Sequence, residues 1–251
     1  MSDIIASDRE RETTIKHKIA TTKLPIPLPV KGVFMVGPRL GIVKNQMFEP
    51  EVTEFLRSRV NSKTKFADIG AGYGFHSLLM AKQLSKYHSK IYSFEPSPKD
   101  LKYLKFNSII NNFKDVIVIK PLFVCNLPYQ DQLFSLKNHS SFLAGGGEII
   151  RVPTITLDSL NIDFNLVKID AEGSDLNILQ GAKRLISQGC EFTIEIGEKF
   201  LPLPVGEYLD QIRSLGLGLY ELPLGKREMS NSEIITKSRK FLHINIAALP
   251  K

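Results

Sequence analysis

Cysteine is scarce. The 251-residue chain has two, Cys125 and Cys190, and neither stands at metal-ligand spacing from a histidine or another cysteine. That excludes a disulfide framework and leaves a reduced, cytoplasmic setting as the expectation. Long apolar runs are missing too. None approaches the roughly 20 residues that a membrane-spanning helix needs. The opening MSDIIASDRERETTIKHK is charged and lacks the apolar centre of a signal peptide. Acid is short in one third of the chain, where Lys82, Lys86, Lys90, Lys99, Lys102, Lys105, Lys114 and Lys120 carry much of the +7 net charge. No aromatic or arginine cluster accompanies these lysines. They are therefore read as the solvent faces of two surface helices, and nucleic acid is not an expected partner.

What is present fits one sizeable α/β core, with 43% hydrophobic residues. The stretch Lys65–Met80, KFADIGAGYGFHSLLM, organises it. Lys65–Ile69 reads as a short buried strand with Asp68 near its carboxyl end. Gly70, Ala71, Gly72, Tyr73 and Gly74 then turn the backbone into a helix beginning near Phe75. Glycine tolerates positive φ there, and its missing side chain lets a ligand lie against the backbone. The helix that follows presents free N–H groups and the positive end of its dipole. An adenosine cofactor is expected on this turn. The glycines are spaced G-x-G-x-G, not the G-x-G-x-x-G of dinucleotide binding. A second strand, Lys90–Glu95, ends in an acid followed by Pro96, and an acid there can accept both ribose hydroxyls of an adenosine.

The remainder alternates strand and helix. Met1–Lys23 is a polar arm, LPIPLPV an extended connector, and Val30–Val43 a small glycine-broken hairpin. Glu49–Val60 is helical, with Pro50 in the first turn. Pro96–Asn112 is a helix and Val116–Ile119 a third strand. Lys120–Glu148 breaks the rhythm with loop-forming residues and holds His139; it is a candidate substrate lid. Ile149–Leu157 is extended, Leu166–Asp170 a buried strand, Asp175–Gln188 a helix and Glu191–Ile196 a strand carrying Glu195. Val205–Leu215 is a helix, Gly218–Leu222 and Phe241–Ala247 are closing strands, and the polar Gly225–Lys240 between them reads as an exposed loop. Such alternation predicts a parallel sheet with helices on both faces.

Four matches in order resemble the FkbM family of S-adenosylmethionine (SAM)-dependent methyltransferases: FEPEV, FADIGAGYGFHS, YSFEPSP, and VPTITLDSL followed by LVKIDAEGSDLNILQGA. The last, around K-I-D-x-E-G, is the most specific. The segment KPLFVCNLP lacks the small acidic element usual after the third strand. The resemblance implies a Rossmann-like, seven-stranded class I methyltransferase sheet with its last strand antiparallel. It divides the chain into an arm and small hairpin over 1–48 and a methyltransferase domain over 49–251. It also implies O-methyl transfer to a hydroxyl of a small molecule or glycan, of sugar or secondary-metabolite type. Cofactor contacts are expected from Asp68, Gly70, Ala71, Gly72, Gly74, Glu95 and Pro96.

Methyl transfer to oxygen benefits from a base. Asp170, ending the fourth strand, is the first candidate for base or metal ligand, Glu172 the second and His139 the third. His76 is expected to pack or cap rather than react. Glu195 could position substrate or pair with a lysine. A divalent metal is compatible with these oxygen donors, but the spacing does not demand one. Three other readings stay open: methylation of RNA or protein, a non-catalytic SAM-binding scaffold, and an NAD-binding oxidoreductase, the last against the glycine spacing and the lack of a Tyr-x-x-x-Lys dyad. Oligomeric state is not legible.

Overall fold

The structure, a computed structural model, describes residues 26–27, 32–37, 48–135, 148–223 and 227–251. A seven-stranded sheet carries the site. Its strands are β3 (Phe66–Ile69), β4 (Ile91–Phe94), β5 (Ile117–Lys120), β9 (Leu166–Ile169), β10 (Glu191–Ile196), β11 (Leu217–Glu221) and β12 (Ile244–Pro250). Their order is β11-β12-β10-β9-β3-β4-β5. The central pairs are parallel, and β12 runs antiparallel between β10 and β11. The expected Rossmann-like sheet with an antiparallel last strand is therefore present.

Two of the inner strands, β3 and β9, are mostly apolar because they are buried on both sides. All four residues of β3 and all four of β9 are buried. Phe66 pairs with Leu166 and Ala67 with Val167. The first pair packs into one hydrophobic cluster and the second into another, so the sheet has a core on each face. Helix α1 (Pro50–Ser58) starts at a proline and buries Val52, Phe55 and Leu56. Helix α2 (Phe75–Leu84) follows the glycine turn and is buried along most of its length. Helix α3 (Pro98–Ile110) is capped by Ser97, whose side chain accepts from the Asp100 N–H. Of the eight lysines read as solvent faces of two helices, Lys82, Lys86, Lys90, Lys99, Lys102, Lys105 and Lys114 are exposed on α2, α3 and the turns beside them, whereas Lys120 ends β5 and is half-buried.

Ahead of α1, β1 (Ile26–Pro27) pairs antiparallel with β2 (Phe34–Met35). The proline-rich connector thus supplies one strand of the small hairpin. The loop reading of Lys120–Glu148 is corrected in part. Here β6 (Phe123–Val124) and β7 (Asp131–Ser135) flank β8 (Ile149–Ile155) in a separate three-stranded sheet. Residues 136–147 lie outside the described residues, and His139 with them. The single helix over Asp175–Gln188 is two, α4 (Asp175–Gln180) and α5 (Lys183–Ser187). They part at Gly181, where a Cβ would come within 2.3 Å of the Cys125 carbonyl oxygen.

The C-terminal part needs a larger correction. Helix α6 (Val205–Ser214) is as expected, but helix α7 (Asn231–Phe241) lies where Gly225–Lys240 reads as exposed loop and Phe241 as the start of the last strand. A capping box starts it. Ser230 Oγ accepts from the Glu233 N–H, and Glu233 Oε2 accepts from the Ser230 N–H at 2.8 Å. Arg213 of α6 ties the approach to α7 through Asn231 Oδ1 at 2.8 Å and through the Met229 carbonyl. Phe241 accordingly ends the helix rather than opening the last strand.

Candidate active site

The carboxyl ends of β3, β4 and β9 open onto one cavity of about 340 Å³. This is the edge of an open α/β sheet at which ligands bind. Gly70, Ala71, Gly72, Glu95, Pro96, Asp170 and Glu172 all line it. Seven of the residues singled out in the sequence therefore meet around one space. Asp68 and Gly74 do not line it. Gly74 is the N-cap of α2 and packs against Leu104. Asp68 is buried, with Oδ2 accepting from Ser77 Oγ at 2.5 Å.

Gly70 has φ +72, and an added Cβ would sit 1.9 Å from the Asp170 carbonyl oxygen. The close approach of β3 to β9 thus requires glycine here. Gly72 has φ +54, and its Cβ direction meets no atom within 4 Å. The Gly70 and Ala71 N–H groups both donate to the Phe94 carbonyl at 3.0 Å. The Gly72 N–H donates instead to Glu95 Oε2, and the Ser97 N–H to Glu95 Oε1, each at 2.8 Å. Glu95 is buried, so two backbone donors fix its carboxylate in place between the turn and α3. Where the sequence lacks the usual acid after the third strand, Leu122, Phe123 and Val124 supply an apolar wall.

The opposite wall is polar. Asp170 is half-buried, and its Oδ2 accepts from Lys168 Nζ at 3.1 Å. Lys168 is buried inside β9 and also lines the cavity. Burial alone would pull its proton affinity down, but the Asp170, Glu49 and Asp68 carboxylates outweigh it and hold the ammonium well above the ordinary lysine range. Glu172 occupies the turn after β9 at φ 46.

His76 also lines the cavity, although its main contacts are structural. Its ring packs against Phe48 and Phe75, with centroids 5.9 and 5.0 Å away. Burial, aided by the Lys168 charge, keeps it neutral far below its usual range. Glu195 lies beside the site without lining it. Its partner is His243 at 3.6 Å rather than a lysine. Burial, then the charges of Asp170, Glu172, Asp175 and Glu49, push the Glu195 carboxyl up to about 9. Asp175 and Glu49 are each pushed up to about 7, chiefly by burial.

Three of these residues escaped the reading of the sequence as site groups: Lys168, Glu49 and Asp175. The available signal was a lysine inside the apolar run LVKI, where a charge is costly unless carboxylates surround it.

The methyltransferase FkbM domain profile matches residues 68–218. The chain belongs to the FkbM methyltransferase family. No curated protein matches it. Among solved structures it is similar to methyltransferase FkbM from Methylobacillus flagellatus, at 15% identity and TM-score 0.49 over 76% of this chain. It spans 44% of that protein's length. It is also similar to a precorrin-6y C5,15-methyltransferase from Geobacter metallireducens, at 12% identity and TM-score 0.49, covering 86% of this chain and 95% of that one. A SAM-dependent O-methyltransferase from Thermotoga maritima matches at 13% identity and TM-score 0.49, over 86% and 73% of the two chains. Among the described residues of this FkbM-family chain, no group of three or more His, Cys, Asp or Glu is placed to hold a metal ion. Nor is any described helix long and apolar enough to cross a membrane.

Proposed function

We propose that this FkbM-family chain is a SAM-dependent O-methyltransferase acting on a hydroxyl of a small molecule or glycan. One observation carries the reading. The glycine turn, the clamped Glu95 carboxylate and the Asp170 carboxylate border a single cavity of about 340 Å³, within the range of about 300–1,000 Å³ usual for small-molecule sites.

The residues present fit SAM. Gly72 faces open space, so a ligand can lie against its backbone. Glu95 is fixed by two N–H donors where ribose hydroxyls would meet it. Pro96, Leu122 and Phe123 offer an apolar seat for a base. Bound there, SAM would supply an electrophilic methyl group on its sulfonium. The chain's own part is to align the acceptor and take its proton. Alignment of this kind can remove on the order of 7–11 kcal/mol of barrier, and a positioned base adds about 10²–10⁴-fold. Asp170 is the base in this reading, with Oδ2 held by Lys168. Glu172 flanks it.

Charge narrows the acceptor. Glu95, Asp100, Asp170 and Glu172 line the cavity, and Lys168 is the one lysine or arginine among its described lining residues. Such a wall disfavours phosphorylated or carboxylated acceptors and suits uncharged, hydroxylated ones. The test is transfer of radiolabelled methyl from SAM to a panel of neutral sugars and polyhydroxylated metabolites, with D170N alongside. Label transfer that D170N loses while still binding SAM supports the reading. SAM binding without transfer to any acceptor, with D170N indistinguishable, points to a scaffold.

A further inference from the structure

Lys168 is a full ammonium placed where the fold could have had an aliphatic side chain. It is 4% exposed, and its three neighbours in β9 are all buried and apolar. Burying a charge is costly unless opposite charges and hydrogen bonds replace the lost water. Here Asp170 supplies a hydrogen bond and an opposite charge, and the charges of Glu49 and Asp68 add to it from two other parts of the chain. Asp68 stands directly across the ladder, in register with Lys168. Asp170 is two residues on, at 3.1 Å. Glu49, the residue before α1, acts on Lys168 through its charge.

Asp68 and Glu49 have further polar neighbours. Ser77 Oγ, which meets Ser93 Oγ at 2.7 Å, donates to Asp68. Asn245 Nδ2 of β12 reaches Glu49 Oε1 at 3.5 Å, and His76 Nδ1 of α2 lies 3.8 Å from Glu49 Oε2. Glu49 holds a left-handed backbone, φ 42, which a non-glycine residue adopts at a cost. The Asp170 charge in turn helps to push up the carboxyl groups of two further acids, Asp175 from α4 and Glu195 from β10. Lys168 is thus the buried ammonium among these carboxyl groups, of which Asp170 lines the cavity.

We infer that Lys168 is a positioning residue: its buried ammonium holds Asp170 oriented at the cavity wall through the 3.1 Å contact, with Asp68 across the ladder and Glu49 adding their charges around it. The use made of Asp170 rests on the methyl-transfer reading; the arrangement itself does not. Lys168 is not the base, because the same carboxylates hold its proton in place.

Two cofactor-free measurements test this. In wild-type protein with carbon-13-labelled lysine, the Lys168 side chain, assigned with K168R, should keep its charge to higher pH than the exposed lysines. Titration alongside or below them overturns the proposal. In protein with labelled glutamate, the Glu49 carboxyl, assigned with E49Q, should move up from about 7 by about one pH unit in K168Q, tenfold in proton affinity. K168R should leave it near its wild-type value, and an unmoved Glu49 in K168Q overturns the proposal. The first measurement needs no substitution that removes the charge, so it decides even if K168Q does not fold. With an acceptor in hand, K168Q should lower kcat and shift the acid limb of its pH profile upward, with little change in KM for SAM and rescue by K168R. Absence of methyl transfer in the wild type would sink the methyl-transfer reading and leave the two titrations to judge Lys168.

Discussion

Raising the pH from 7 to 9 should loosen the fold through one side chain, Glu195. Its side chain is 15% exposed, and burial with four nearby carboxyl groups pushes it from 4.5 up to about 9. The unfolded chain releases this proton near pH 4.5, whereas the folded chain keeps it until about pH 9. Between those values the folded state binds more protons, so stability falls as pH rises. A full proton difference is worth about 1.4 kcal/mol per pH unit. Glu195 alone should therefore remove roughly 2–3 kcal/mol between pH 7 and pH 9. Glu49 and Asp175, both near 7, lose most of their share below this window. His76 acts in the opposite sense, and only below its ordinary 6.5. Burial pushes the Cys190 thiol up, which adds a loss toward pH 9. Comparison with E195Q cancels that contribution. Urea unfolding of both proteins at pH 7, 8 and 9 provides the assay. The wild type should lose roughly 2–3 kcal/mol more than E195Q over the window. Parallel pH profiles would refute the burial argument for Glu195.

The glycine turn yields a paired prediction. Gly70→Ala meets the Asp170 carbonyl at 1.9 Å in a left-handed backbone, so overpacking of about 1–3 kcal/mol adds to strain of about 1–2 kcal/mol. Gly72→Ala meets no atom within 4 Å and should cost only the strain, about 1–2 kcal/mol, while weakening SAM binding by about tenfold or more through loss of backbone access. Thermal melts followed by circular dichroism separate the two from each other, and calorimetry supplies the affinity. Ser230→Ala removes the N-cap of α7 and should cost about 1 kcal/mol, a fall in Tm of roughly 2–4 °C.

The sheet and the glycine side of the site were legible because their signals are local. Strands such as FADI and LVKI are buried on both faces and read as short apolar runs, and a turn needing positive φ shows itself as glycine. Helix α7 was less legible because little of it is buried: Ile234 and Ser238 are its buried residues. Its capping box, Ser230 to Glu233, was the available clue and outweighs the polarity of the segment. The small sheet of β6, β8 and β7 was hidden by exposed Leu133 and Ile149, which blur the alternation. The break between α4 and α5 follows from a tertiary contact, the Cys125 carbonyl against Gly181. Lys168 and Glu49 belong to the same class of omission. They lie 119 positions apart in the sequence, and only the folded chain brings their charges together.

The most direct test of the central claim, that the glycine turn and Glu95 form a SAM seat, is calorimetric titration of the purified protein with SAM, with NAD as control and Glu95→Ala beside it. SAM should bind, NAD should not, and Glu95→Ala should weaken SAM by about tenfold or more, equivalent to at least about 1.4 kcal/mol. Binding of NAD without SAM, or SAM binding unaffected by Glu95→Ala, would contradict the account.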